Sequence, residues 1–216
     1  MKIDASKKIA KSLLDIGAVK FNTNNPFTWA SGIKSPIYCD NRIINSRVAI
    51  RDIVIGEFSN IISANFLSQI DHISGVATGG ISYGGIIADR LKMPFIYVRS
   101  ERKSHGLMKM VEGEYKTGEK TVLIEDHIST GLSSMRAIEG LREEGIEPVC
   151  LLSITTYGFR QAEDLFKRKN VQYQSICDLD TILDVAREEG ILTSEDVTTI
   201  LNFKEAPKDW FAARSL

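Results

Sequence analysis

Short apolar runs alternating with helical patterns constrain this chain more than any other feature. The runs fall at Ile73–Ala77, Phe95–Val98, Thr121–Ile124, Val149–Thr155 and Tyr173–Cys177, and helix-period patterns occupy 82–92, 134–144, 159–169 and 180–189. Runs this short and this apolar suit strands buried on both faces, and their alternation with helices predicts a mainly parallel sheet with right-handed crossovers. Before them, residues 3–16 and 47–67 read as helices around a turn-rich 21–42 carrying Pro26, Gly32 and Pro36. After them, 194–204 reads as a last helix with Ser194 as its N-cap. The 216 residues fit a single α/β domain over 1–216.

Composition narrows the function classes. With 43% hydrophobic and 25% charged residues, the chain has the balance of a globular protein with a sizeable core. A net charge of −1 points away from a nucleic-acid or anionic-membrane surface, and no apolar stretch approaches the ~20 residues of a membrane span. Cys39, Cys150 and Cys177 have no metal-ligand spacing, and nor do His72, His105 and His127. Cys150 and Cys177 lie in apolar runs and are expected to be buried, which fits a reducing, cytoplasmic setting. Gly113–Thr121 nearly spells a P-loop, but Glu119 intrudes before the lysine and the stretch precedes a strand.

The chemistry concentrates at Thr121–Ser134. The apolar run Val122-Leu123-Ile124 meets Glu125 and Asp126, followed by a hydroxyl-rich loop and a helix with Met135, Ala137, Ile138 and Leu141. Carboxylates at the carboxyl end of a parallel strand are placed to accept hydrogen bonds from sugar hydroxyls, and loop amides at a helix N-terminus face an anion. Thr78-Gly79-Gly80 forms a second turn of this kind, its glycines allowing close backbone approach to a ligand. Between Val98 and Thr121 lie more than twenty residues without periodicity, carrying Arg99, Arg102, Lys103, His105 and Lys109, with Gly106, Gly113 and Gly118 as hinges. Such a stretch reads as a cationic lid or as a β-hairpin arm.

These segments resemble type I phosphoribosyltransferases. Thr121–Ser134 is similar to their phosphoribosyl diphosphate (PRPP) motif, and Phe27–Tyr38, Tyr97–Gly106 and Val111-Glu112-Gly113 narrow the resemblance to the orotate phosphoribosyltransferase family. The resemblance covers roughly residues 8 to 210. It implies a type I phosphoribosyltransferase fold with an N-terminal hood (about 1–45) and a long catalytic loop (about 99–120), transferring phosphoribosyl from PRPP to orotate. Glu125 and Asp126 would hold the ribose hydroxyls, the loop of Ser129, Thr130, Gly131, Leu132 and Ser133 would cradle the 5′-phosphate, and His127 and Ile128 would also belong to the PRPP-binding segment. Thr78, Gly79 and Gly80 would meet the diphosphate. Arg99, Lys103 and His105 would act on the leaving group, reaching across a homodimer into the partner's site, with Asp126 completing the catalytic set. Ser129 would also touch orotate, and Lys34 and Arg160 are candidates for its carboxylate. Mg²⁺ would ride mainly on PRPP, with no direct protein ligands. The chain departs from the family pattern at His127, where an aliphatic residue is common, and at Leu132, where glycine is usual. Two other readings fit the PRPP segment: a transferase for another base, and a non-catalytic PRPP-sensing regulator.

Overall fold

Why the acids and the glycine turns meet follows from how far each strand runs. The computed structural model describes residues 2–29, 31–100 and 109–213. A first helix, α1 (Lys2–Asp15), leads into four short strands: β1 (Val19–Phe21), β2 (Phe27–Thr28), β3 (Lys34–Ser35) and β4 (Ile37–Cys39). A 3-10 helix over Asn41–Ser46 and α2 (Val48–Asn65) follow. The alternating part then comprises β5 (His72–Val76), α3 (Gly79–Leu91), β6 (Phe95–Val98), β7 (Val111–Glu112), β8 (Lys120–Ile128), α4 (Leu132–Glu143), β9 (Glu147–Thr156), α5 (Arg160–Arg168) and β10 (Tyr173–Asp178). Helices α6 (Leu179–Glu188), α7 (Ser194–Glu205) and α8 (Trp210–Ala213) close the chain.

Six strands form one sheet in the order β10-β9-β8-β5-β6-β7, parallel except for β7, which runs antiparallel to β6. Apolar side chains cover both faces. Val122 and Ile124 join the core under α1, α2, α3 and α6, whereas Leu123 joins Met135, Ile138 and Leu141 of α4 and Phe166 of α5. This period-2 split of a continuous apolar run is what a strand buried on both faces requires. Cys150 and Cys177 are buried, as their apolar settings predict.

Several elements differ from the sequence reading. β8 does not stop at Ile124. It runs through both acids to Ile128, because β9 continues to pair with it (His127 with Thr155, Ile128 with Thr156) after its pairing with β5 has ended at Ile124. The 99–120 stretch is a hairpin arm at its root: Arg99 N–H donates to the Met110 carbonyl at 2.9 Å, and β7 pairs with β6. From Met110 to Lys120 the chain is fastened. The Tyr115 hydroxyl donates to Glu144 at 2.8 Å and Gly118 N–H to the Gly145 carbonyl at 2.8 Å. Gly113 and Gly118, read as hinges, are turn residues with φ of 118° and 93°. The N-cap of α7 is Thr193, not Ser194. Thr193 makes a reciprocal capping box with Asp196, whose other carboxylate oxygen accepts from Thr23 Oγ1 at 2.7 Å.

The N-terminal strands pair as two small ladders, β1 with β4 and β2 with β3. An aromatic seam docks them on the body. Trp29 stacks on Tyr157 (centroids 5.3 Å, 8° between planes), meets Phe203 edge-on, and donates its indole N–H to the Ile37 carbonyl at 3.2 Å. Each such ring pair contributes about 0.5–1.5 kcal/mol beyond its buried area. This fixes the hood above the carboxyl ends of β8 and β9.

Candidate functional site

Because the pairing of β5 with β8 ends at Gly75 and Ile124, the last four residues of β8 have one edge open toward the turn that follows β5. That turn, Ala77-Thr78, enters α3 at Gly79 with a cis peptide between the two residues. The glycines are there for clearance: a Cβ on Gly79 would collide with the Asp126 carboxylate, and one on Gly80 with the Ile124 carbonyl. The two turns singled out in the sequence are therefore packed against each other across the end of the sheet. Ala77 N–H also donates to the Val98 carbonyl at 2.8 Å, which sets the root of the 99–110 arm beside them.

The paired acids are not equivalent, which corrects the expectation that both project from a strand end. Glu125 is 5% exposed. Its carboxyl accepts from the Asp126 backbone N–H at 3.1 Å and from Ser134 Oγ at 3.2 Å, tying β8 to the start of α4. Burial, then the neighbouring Asp126 charge, push the Glu125 carboxyl well above the usual carboxylate range. Asp126 is half-buried and lies against Gly79. Asp126 is thus the acid open to a ligand, and Glu125 braces the strand beneath it.

The sign of the Glu125 effect is testable. Its folded value lies above its unfolded one, so between the two the native state holds the extra proton, and stability falls as pH rises through that window. Glu125→Gln removes the titration. Its Tm relative to the unsubstituted chain should therefore rise as pH goes from about 5 to 8. A difference that stays flat across thermal melts at those pH values contradicts a raised Glu125.

Ser129-Thr130-Gly131 connects β8 to α4 in three residues. Gly131 is the N-cap at φ 75°, and the helix begins at Leu132, two residues earlier than the periodicity predicted. Leu132 is therefore an exposed first-turn residue, and the departure from glycine there leaves the backbone turn to Gly131. The Ser129–Ser133 amides occupy a helix N-terminus, the arrangement suited to a phosphate.

The other expected residues are placed as follows. Arg99 donates to Glu112 at 3.3 Å at the root of the arm. Lys103 and His105 lie outside the described residues. Lys34 donates to Thr28 Oγ1 at 2.7 Å within the hood hairpin. Arg160, largely exposed, is 4.0 Å from Asp164 and lines a groove with Lys204 and Asp209 at the start of α5. Neither Lys34 nor Arg160 makes a hydrogen bond or ion pair with Asp126 among the described residues. Sequence reasoning missed the supports beneath the site. Asn41 Nδ2 donates to the Asp126 carbonyl at 2.7 Å and to Thr155 Oγ1 at 2.6 Å, and Tyr83 Oη donates to the Asn41 carbonyl at 2.7 Å. Nothing in the local sequence around Asn41 signals this.

Comparison with known proteins decides the family. The phosphoribosyl transferase domain model matches residues 44–187. An orotate phosphoribosyltransferase of Bacteroides thetaiotaomicron is 44% identical over 205 residues, covering 95% of this chain and 96% of the relative. The chain belongs to the orotate phosphoribosyltransferases. Among solved structures, the family member from Aeropyrum pernix is 31% identical with a TM-score of 0.73, covering 86% of this chain and 99% of that one. UMP synthase of Leishmania donovani aligns with a TM-score of 0.77 at 28% identity, over 92% of this chain and 42% of its own. The segment that resembles the PRPP motif, Thr121–Ser134, includes this open edge of β8.

Proposed function

We infer that the chain transfers the 5-phosphoribosyl group of PRPP to orotate, giving orotidine 5′-monophosphate and diphosphate in pyrimidine nucleotide synthesis. The observation that carries this reading is likeness to orotate phosphoribosyltransferases over nearly the whole chain, together with an open carboxylate packed against a glycine turn.

Breaking the bond from ribose C1 to diphosphate develops positive charge on the sugar and negative charge on the leaving group. Orotate nitrogen is the nucleophile, so the protein's work is alignment, charge stabilisation and exclusion of water. Asp126 accepts hydrogen bonds from the ribose hydroxyls and sits beside the developing cation. Glu125, held by Ser134, keeps that segment of β8 rigid. The Ser129–Ser133 amides bind the 5′-phosphate, and Ser129 borders the base. Thr78, Gly79 and Gly80 receive the diphosphate. Arg99, Lys103 and His105 stabilise it as it leaves, delivered from the partner chain of a homodimer.

Among the described residues no three His, Cys, Asp or Glu side chains converge as a metal site. Mg²⁺ would be bound mainly through PRPP oxygens and would supply charge neutralisation at the diphosphate. No helix among the described residues is long and apolar enough to cross a membrane, and three free cysteines accord with work in the cytoplasm. Incubation with PRPP, Mg²⁺ and orotate is expected to consume orotate. Turnover of adenine or hypoxanthine in its place overturns the reading.

A further inference from the structure

We propose that Asn41, Thr155 and His127 form a buried relay that positions Asp126 and couples the hood to the phosphoribosyl cradle. The inference rests on the PRPP reading of Asp126 and adds three positioning residues to it. The proton inventory of the relay is fixed by one atom. The Asp126 carbonyl can only accept, so the Asn41 side-chain atom 2.7 Å from it is the amide nitrogen. The second hydrogen of that nitrogen goes to Thr155 Oγ1 at 2.6 Å, and Asn41 Oδ1 accepts from Cys39 Sγ at 3.3 Å. In the relay Thr155 Oγ1 directs its single hydrogen to His127 Nδ1 at 2.8 Å. The alternative acceptor, Cys39 Sγ, lies at 3.7 Å and is softer.

The proposed relay thus has His127 Nδ1 bare and the proton on Nε2. The ring is held neutral by burial, its value lowered to about 4. Nε2 is buried with no hydrogen-bond partner among the described residues, and the imidazole meets Tyr157 edge-on at 4.2 Å between centroids. Tyr157 is the ring on which Trp29 of the hood stacks. One end of the relay thus grips the peptide of Asp126, and the other rests on the hood's docking seam. A buried donor left unpaired is costly, so packing alone does not account for a histidine here. An imidazole accepting from Thr155 locks that hydroxyl's rotor, which in turn orients the Asn41 amide on Asp126. Displacement of the hood over a base then moves Asp126 through Asn41.

Thr155→Val and Thr155→Ser separate positioning from packing, since valine keeps the shape and serine keeps the hydroxyl. Turnover by the unsubstituted enzyme tests the orotate reading on its own; the two variants test the relay alone. Thr155→Val is expected to raise KM for PRPP about tenfold, the equivalent of one net hydrogen bond, with kcat less affected. Thr155→Ser should stay near the unsubstituted value. Asn41→Asp, which sets an oxygen against the Asp126 carbonyl, should also raise that KM. Nitrogen-15 spectra of the unsubstituted protein should show His127 protonated at Nε2, a readout that needs no variant to fold. An unchanged KM in Thr155→Val, equal losses in the valine and serine variants, or a proton on Nδ1 each overturn the relay.

Discussion

Gly80→Ala is expected to destabilise the fold by about 3 kcal/mol or more, at the upper end of overpacking costs, and to abolish turnover. The added methyl group would overlap the Ile124 carbonyl, with the Glu125 backbone next nearest. Neither can move cheaply, because β8 is paired to β9 on its other side through Ile124 and Leu152. For a chain of this size the loss corresponds to a Tm lower by roughly 6–12 °C. Gly79→Ala, one residue earlier, should behave differently. Its methyl group would meet the Asp126 carboxylate, a side chain that can rotate away. Stability should fall less while KM for PRPP rises, because the rotated carboxylate no longer faces the ribose. Thermal melts and PRPP kinetics on the two variants check the contrast, and equal melting temperatures for both would contradict the packing described for Gly80.

That contrast shows how much of the site was legible in the chain. The acid pair, the Thr-Gly-Gly turn and the hydroxyl loop announce themselves because each is a local pattern with a local cause. The mainly parallel sheet and the two-sided core also follow from period and length, whereas the strand order does not. The extension of β8 through Glu125 and Asp126 was hidden, because polar residues end an apolar run whether or not a neighbouring strand continues to pair with them. The burial of Glu125 was hidden for the same reason: its hydrogen bonds from the Asp126 N–H and from Ser134 on α4 form only in the folded chain. β7 was too short to show a period. Asn41 and Thr155 lie 114 residues apart and meet only through the tertiary fold. His127 stood out in the sequence as a departure from the family pattern, and its partners give that departure a reason: an aliphatic residue could not accept from Thr155.

Lys103→Ala is expected to lower kcat by on the order of 10²–10³, the range for removing one preorganised charge stabiliser. The limbs of the 99–110 arm meet where Arg99 bonds Met110, and Ala77 N–H bonds Val98 beside that root, so Lys103 follows in sequence from a point set next to the Thr78–Gly80 turn. Arg99 is paired with Glu112 at that root. Lys103 lies four residues further along, outside the described residues. If Lys103 meets the diphosphate only as it departs, it stabilises the leaving group more than bound PRPP, and its loss should fall on kcat and much less on KM. An unaffected rate removes Lys103 from the mechanism. Mixing an Arg99→Ala/Lys103→Ala subunit with an Asp126→Asn subunit extends the test to the dimer. If the arm serves the partner's site, each mixed dimer regains one intact site, and activity should return toward a quarter of the unsubstituted value for statistical mixing. If the arm serves its own chain, both sites stay defective and the mixture remains as inactive as its parents.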